Sequence, residues 1–370
     1  MASRMNAPAQ DRTASPEGAA EPLREQPPES TDGARIVLDA LGGDAPLHER
    51  LTGAANAARM YPDIDLIVCG ARDEMERDLD GIGHPANLRC VDAPEQIDMN
   101  DAPVRALRKK KRSSIVVGLE MVAGGEADAF VSAGNTGAVA AASLLKLGRL
   151  RGVQRPGIAA AMKVIDSTVV AIDVGANVDS RPMHLLQHAI MASVFSREVL
   201  GIPSPRVALL NVGEERTKGN ELVKQAYELL ASAELNFVGH AEPARLFTGE
   251  CDIVVCDGFI GNIMLKLGES LTMKVIGWLR EQVGHSLRYK LGFLLCRGLF
   301  SHLRHCADYT EYGGAPLLGV NGITIVTHGT SDARAIQNAI REARLFAKHR
   351  VNDHIESAVR KDAAARGLRA

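Results

Sequence analysis

Short apolar runs alternate with amphipathic stretches from residue 35 to about residue 350. Seven runs are rich in Val and Ile and stay apolar at successive positions, as strands buried on both faces do. Amphipathic segments such as residues 216–231 separate them. This alternation predicts a three-layer α/β/α fold around a mostly parallel sheet. The predicted strands cover residues 35–40, 65–70, 127–133, 167–174, 206–212, 251–257 and 322–328.

The two ends of the chain lack this pattern. Residues 1–33 contain acidic residues among Pro, Ser and Ala and no apolar stretch. Such a segment is typical of a disordered tail and unlike a signal or transit peptide. We therefore expect one folded domain at residues 34–350, an N-terminal tail at 1–33 and a C-terminal tail at 351–370.

The amino-acid composition argues against several classes of protein. The formal net charge is −2 and aromatic residues make up 4% of the chain, which argues against a nucleic-acid-binding protein. No uncharged stretch reaches 18 residues, so we expect no simple membrane-spanning helix. The six cysteines form no CxxC pair, which is typical of a reducing compartment and predicts a cytoplasmic protein.

Six of the predicted strands end in polar turns rich in glycine. Because the carboxyl ends of parallel strands meet at one edge of a sheet, we expect all six turns to line one ligand crevice. Each turn alone could be an ordinary connection, but six together indicate a binding site. The turns are LDALGGD (38–44), SAGNTGA (132–138), DVGANVDSRP (173–182), NVGEERTKG (211–219), CDGFIGN (256–262) and THGTSD (327–332).

The turn at 132–138 is the most informative of the six. An Ala-rich helix is predicted to start near Asn135 or Thr136, so free N–H groups would face the crevice and bind an anion. Neither GxxxxGK[ST] nor GxGxxG after a strand occurs, so a phosphate or carboxylate is favoured over a nucleotide. The predicted substrate-binding residues are Ser132, Gly134, Asn135, Thr136, Gly137, Asp39, Gly42, Gly43 and Asp44.

Candidate catalytic groups follow the other strands. Lys218 could approach an anion or a polarised carbonyl, or could be a solvated cation of the first helical turn. His328 ends a strand, where it could donate a hydrogen bond, act as a general acid or base, or be structural. Four aspartates at strand ends could orient cationic side chains or cap helices. They are Asp39, Asp44, Asp173 and Asp257.

No metal or cofactor is expected. His184 and His188 lack the glutamate of an HExxH motif and lie among Leu and Met. A second His and Cys group matches no familiar zinc-ligand spacing. It consists of Cys296, His302, His305 and Cys306.

Residues 270–306 form an unusual basic amphipathic segment. Leucine and valine recur every four residues, and interrupting glycines predict a protruding helical hairpin. The segment could lie on an anionic membrane, contact an acidic protein, form a dimer interface or join the core. A second basic run at 105–112 could be a solvated face or add to a patch for an acidic partner. The predicted membrane or carrier-protein contacts are Lys274, Trp278, Leu279, Arg280, Arg288, Lys290, Phe293 and Leu294.

Between residues 35 and 345 the chain resembles the phosphate acyltransferase family of bacterial phospholipid synthesis. The resemblance rests on LDALGGD, RKKKRSSIVVGLE, SAGNTGA, DVGANVDSRP, LLNVGEERTKGNEL, CDGFIGN and EYGGAPLLGVNGITIVTHGTSDARAIQNAI, which occur in the family's order. It implies transfer of a long-chain acyl group from acyl-carrier protein to orthophosphate, which a membrane glycerol-3-phosphate acyltransferase then uses. It also implies a homodimer with an isocitrate/isopropylmalate dehydrogenase-like fold.

These expectations give a mechanistic hypothesis. Orthophosphate would bind at residues 132–137 with help from Lys218, and His328 and Asn262 would stabilise the oxyanion or the leaving thiolate. Asp257 or Asp39 would orient these groups. The alternatives are a coenzyme A-dependent phosphotransacetylase, a non-catalytic scaffold for carrier protein or lipid, and a hydride-transfer enzyme. We expect the protein to be attached peripherally to the membrane.

Overall fold

A computed structural model describes residues 33–164, 167–295, 298 and 313–368. The strands within them are β1 (Arg35–Asp39), β2 (Asp65–Gly70), β3 (Leu88–Asp92), β4 (Ala129–Ser132), β5 (Gly157–Val164), β6 (Ser167–Ile172), β7 (Val207–Leu210), β8 (Phe237–Ala241), β9 (Ile253–Val255), β10 (Ala315–Leu318) and β11 (Ile323–Val326). The helices are α1 (Leu47–Met60), α2 (Arg72–Ile82), α3 (Pro103–Lys109), α4 (Ser114–Ala123), α5 (Thr136–Lys146), α6 (Pro182–Glu198), α7 (Glu221–Ala231), α8 (Gly258–His285), α9 (Leu287–Leu295), α10 (Ala333–Lys348) and α11 (Val351–Ala365).

One sheet contains all of these strands, in the order β3-β2-β1-β4-β11-β10-β5-β6-β9-β7-β8. The five strands from β3 to β11 are mutually parallel, and so are the four from β6 to β8. Three antiparallel pairings, β11 with β10, β10 with β5 and β5 with β6, join the two groups. The two parallel groups therefore run in opposite directions.

This reversal corrects the expectation that six turns share one edge. The turns after β1, β4 and β11 lie at one edge of the sheet, whereas those after β6, β7 and β9 lie at the opposite edge. The sequence could not show this. When helices cover both faces of a sheet, a strand gives the same apolar run whether it is parallel or antiparallel to its neighbours.

Helices cover both faces of the sheet, which confirms the three-layer α/β/α fold. Alternate strand residues such as Leu38 and Val37 face the two separate cores. The core on one side includes residues of α1, α2, α6, α7, α10 and α11. The core on the other side includes residues of α3, α4 and α5 and packs against the first turns of α8.

All seven strands predicted from apolar runs are present. Four further strands do not show this apolar pattern and were not predicted. β3 and β8 are the two edge strands of the sheet and are partly exposed. β5 has three consecutive alanines, and β10 contains Pro316, and both residue types are uncommon in strands. β5 and β10 run antiparallel to both of their neighbours, and β3 and β8 each pair with one strand only.

The expected C-terminal tail is wrong for most of its length. Residues 351–365 form α11, in which Val351, Ile355 and Val359 are buried in the core. The spacing of these three residues at i, i+4 and i+8 is that of a helix face. The expected N-terminal tail, apart from Gly33, lies outside the described residues.

Candidate functional site

The turns after β1, β4 and β11 meet at one edge of the sheet, and we call residues 39–44, 132–137 and 327–332 the first glycine cluster. Asp39 is fully buried there. Its Oδ1 accepts hydrogen bonds from the N–H groups of Leu41 at 3.0 Å and Gly42 at 2.9 Å, and its Oδ2 accepts one from Ser132 Oγ at 2.7 Å. Ser132 Oγ in turn accepts a bond from Gly134 N–H at 3.0 Å. One buried carboxylate thus fixes two of the three turns.

Glycine is required where the main chains of these turns approach each other. A Cβ on Gly42 would lie 2.6 Å from the nitrogen of Gly134 and against the Asp39 carboxylate. Gly43 has φ of +91°, and a Cβ there would lie 2.7 Å from the carbonyl oxygen of Gly329. That same carbonyl accepts the N–H of Asp44 at 2.7 Å. The predicted clustering of the first, second and sixth turns is therefore present.

Arg50 in α1 stabilises the main chain at the first glycine cluster. It was not among the site residues predicted from the sequence. It is buried, and its guanidinium donates to the carbonyl oxygens of Ala40 at 2.6 Å and Ala45 at 2.5 Å. Burial lowers its pKa, and the nearby charge of Asp39 opposes that shift. The sequence did contain a signal, because Arg50 shares the apolar face of α1 with Ala54 and Ala57, and charged residues are rarely buried there without a partner.

The first turn of α5 provides the exposed part of the cluster. Asn135 caps the helix by accepting the N–H of Ala138 at 3.0 Å, which confirms the predicted helix start. The N–H groups of Thr136 and Gly137 precede the first intrahelical bond, and both residues are exposed. Together with the helix dipole, they can hold an anion.

His328 lies in the third turn of the cluster and is half-buried. Its Nδ1 accepts the N–H of Thr330 at 3.3 Å and lies 2.8 Å from Thr330 Oγ1. A neutral His328 with Nδ1 as acceptor carries its proton on Nε2, which makes Nε2 a hydrogen-bond donor. Next to it, the buried Thr327 and Ser331 hydroxyls are 2.6 Å apart and hold the turn in shape.

A second buried carboxylate organises the opposite edge, where we call residues 173–177 and 256–262 the second glycine cluster. Asp173 is fully buried. Its Oδ1 accepts the N–H groups of Ile158, Gly175 and Ala176 at 3.0, 3.1 and 2.9 Å. Its Oδ2 accepts the main-chain and side-chain N–H groups of Asn177, both at 2.8 Å. The sequence marked Asp173 as a strand-end aspartate but did not indicate this number of donors.

The start of α8 packs directly on that loop. Asp257 caps α8 by accepting the N–H groups of Phe259 at 3.1 Å and Ile260 at 3.0 Å, and helix capping is one of the two roles predicted for the strand-end aspartates. Asn262 is exposed near the start of α8, and its side chain lies beside Gly175. The position of Asn262 therefore depends on the Asp173 loop.

Lys218 follows β7 at this second edge and is exposed. Its Nζ forms an ion pair with Glu215 Oε2 at 2.9 Å. This contact lowers the pKa of Glu215. The structure thus groups Lys218, Asp257 and Asn262 at the edge opposite to His328 and residues 132–137.

Other titratable groups are buried away from solvent. Burial lowers the pKa of His184 to about 4 and lowers that of His188, which is fully buried near Asp173. Burial also raises the pKa of Cys69 to about 12 and raises the pKa of Cys256. Among the described residues, no group of three or more His, Cys, Asp or Glu could hold a metal ion. Cys296, His302, His305 and Cys306 lie outside them.

α8 and α9 present apolar and basic side chains to solvent. α8 continues through Gly284, and the break before α9 comes at Ser286. Trp278, Phe293 and Leu294 are exposed and Leu279 is half-buried, so these residues do not belong to the core. Lys274, Arg288 and Lys290 are also exposed, the side chain of Arg280 is outside the described set, and the hairpin stays a prediction. In the described part of the chain, no helix is both long and apolar enough to cross a bilayer.

Comparison with known proteins assigns this arrangement to a family. Residues 34–354 match a family described as "Fatty acid synthesis protein". The phosphate acyltransferase of Desulforamulus reducens is 46% identical over 84% of this chain and 92% of its own length. That of Clostridioides difficile is 42% identical over 88% of this chain and 96% of its own length.

Solved structures show the same fold. A phosphotransacetylase from Streptococcus pyogenes has a TM-score of 0.59 at 18% identity and covers 85% of this chain and 94% of its own. The EutD phosphotransacetylase from Staphylococcus aureus has a TM-score of 0.56 at 17% identity, with coverages of 86% and 95%. The family match and the two phosphate acyltransferases show the family: the chain belongs to the phosphate acyltransferase family and is a transferase that acts on acyl groups and phosphate.

Proposed function

We propose that this enzyme transfers a long-chain acyl group from acyl-carrier protein to orthophosphate, giving acyl phosphate and free carrier protein. The observation that carries the proposal is the anion-binding geometry at the start of α5. There the exposed N–H groups of Thr136 and Gly137 stand on a turn that the buried Asp39–Ser132 pair holds in place. Orthophosphate is already a nucleophile, so no covalent enzyme intermediate is needed.

The proposed reaction has two steps, which are attack by phosphate and departure of the thiol. A phosphate oxygen attacks the thioester carbonyl carbon, the carbonyl oxygen becomes an oxyanion, and the C–S bond then breaks with proton transfer to the sulfur. We assign the phosphate to residues 132–137. His328 and Asn262 donate to the oxyanion or the leaving sulfur, and Lys218 adds positive charge. Asp39 orients the phosphate turn, whereas Asp257 acts through the start of α8.

This assignment draws on both edges of the sheet. In this proposal, Lys218 and Asn262 contribute to a substrate cleft from one side and His328 from the other.

The exposed apolar surface of α8 and α9 favours a long-chain substrate over a short acyl-coenzyme A. Trp278 is 59% exposed and Leu294 62% exposed, among several basic side chains. Such a surface suits attachment to an anionic bilayer, where long acyl products are used. We therefore propose a cytoplasmic homodimer that attaches to the membrane and supplies a membrane glycerol-3-phosphate acyltransferase.

The test is incubation with palmitoyl-acyl-carrier protein and radiolabelled orthophosphate. We expect a labelled product that hydroxylamine destroys, and much lower activity with acetyl-coenzyme A. His328→Ala should lower kcat by about 10²–10³, since losing one oxyanion donor has this effect. Lys218→Ala should also lower turnover strongly, because it removes positive charge next to phosphate, and both variants should keep the circular dichroism spectrum of the unaltered enzyme. Normal kcat in both variants would refute the assigned roles, and a preference for acetyl-coenzyme A would refute the long-chain substrate.

A further inference from the structure

Positively charged side chains are concentrated on the surface of α3 and the turn that follows it. Arg105, Arg108, Lys109 and Lys111 are all exposed, and none of them forms an ion pair with a described residue. This concentration stands out in a chain whose net charge is −2. We call these four residues the α3 basic patch.

The acidic residues around the α3 basic patch already form ion pairs with other basic residues. Lys110 pairs with Asp98 at 3.2 Å and Asp101 at 2.7 Å, and Arg112 pairs with Asp92 at 2.7 Å. Within α3, Arg105 has like charges at i+3 and i+4, and such pairs destabilise a helix. The α3 basic patch is therefore unfavourable for the isolated helix and is complementary to an acidic partner.

The patch also has an apolar recess. Pro103, Val104, Arg105 and Arg108 line an open depression together with Ala102. Val104 is 51% exposed there. An apolar side chain flanked by carboxylates would fit this depression, because the guanidinium groups can pair with the carboxylates around it.

The α3 basic patch adjoins the first glycine cluster. The side-chain amide of Asn135, the cap of α5, donates to the carbonyl oxygens of Met99 at 2.8 Å and Asp101 at 3.4 Å, just before α3 begins. A Cβ on Gly137 would lie 3.2 Å from Pro103 Cγ. A protein bound on α3 would thus be held beside the N–H groups that we assign to phosphate.

We propose that the α3 basic patch is the docking surface for the acidic protein that carries the acyl thioester. This inference rests on the proposed function and adds to it the place where the partner binds. Electrostatic docking of this kind mainly raises the association rate, and salt weakens it. In this proposal the exposed surface of α8 and α9 contacts the membrane and not the carrier protein.

The experiment compares two double variants with the same change in charge. Arg105→Glu/Arg108→Glu inverts the patch. Arg77→Glu/Arg360→Glu is the control, since α2 and α11 pack on the other face of the sheet. For the patch variant we expect kcat/KM for palmitoyl-acyl-carrier protein to fall about tenfold or more at low salt, and the difference to shrink at high salt.

Two further measurements separate the possible explanations. The KM for orthophosphate and the activity with palmitoyl-pantetheine, a small thioester without the acidic protein, should stay as in the unaltered enzyme. Equal kcat/KM in the patch and control variants would overturn the docking site, and so would loss of binding to anionic vesicles with normal carrier-protein kinetics. If the unaltered enzyme does not use the carrier protein, the proposed function itself fails.

Discussion

Replacing Asp173 by asparagine tests whether one buried carboxylate holds the second glycine cluster. Its two oxygens accept five N–H groups, three on Oδ1 and two on Oδ2. An asparagine has one acceptor oxygen and one NH₂ group of similar size. Whichever way the amide faces, at least two of the five N–H donors meet another donor instead of an acceptor.

The expected loss follows from this count. A hydrogen bond to a charged group contributes about 1.5–3 kcal/mol, so two lost bonds correspond to roughly 3–6 kcal/mol. Total stabilities of folded proteins are about 5–15 kcal/mol. The substitution should therefore remove a large part of the free energy of unfolding and release the loop that supports Asn262.

Urea unfolding followed by far-ultraviolet circular dichroism measures this effect. Asp179→Asn is the matched control, since Asp179 lies in the same connection but is exposed, and its substitution should change stability by less than about 0.5 kcal/mol. An Asp173→Asn protein with the same urea midpoint as the control would show that the five contacts contribute little, and the reasoning would be wrong.

Three further predictions concern pH, membrane attachment and the first glycine cluster. The pKa of His184 falls on folding from 6.5 to about 4, so as the pH falls His184 is protonated in the unfolded chain before it is protonated in the folded one. The free energy of unfolding should therefore drop between about pH 6.5 and about pH 4. Urea midpoints should show a smaller drop in His184→Gln. Trp278→Glu should release the protein from anionic vesicles in co-sedimentation, whereas Val238→Glu, exposed on an edge strand, should not; equal binding would refute the membrane role of α8. Gly42→Ala places a methyl group 2.6 Å from a main-chain nitrogen of the β4 turn and should destabilise the protein by about 1–3 kcal/mol and raise the KM for orthophosphate. Gly81→Ala is its control, because a Cβ there meets nothing within 4 Å; if both variants behaved alike, the close approach of the turns would not matter.

The membership of the family and the layer architecture could be read from the sequence. The Val- and Ile-rich runs predicted seven strands correctly, since apolar residues on both faces of a strand require cover on both sides. The start of α5 at Thr136 also followed from a local signal, because Asn135 is a strong helix cap. Local chemistry determines these features.

Partly exposed and polar elements were harder to predict. β3 and β8 lie at the edges of the sheet. The pattern of α11 resembles that of a tail, because its few buried residues are spaced among charged ones. The exposure of α8 and α9 could not be derived either, since the same amphipathic pattern occurs in core, interface and membrane-bound helices.

Strand direction and long-range partners were decided by the tertiary structure alone. Three antiparallel pairings in the middle of the sheet place Lys218 and Asn262 at the edge opposite to His328, and no local pattern encodes the direction in which a buried strand runs. The donors around Asp173 include Ile158, fifteen residues away, and the guanidinium of Arg50 reaches back to Ala40. A residue's type determines which bonds it can form, but the packing of distant segments decides which partners are within reach, and that packing sets the geometry of the site.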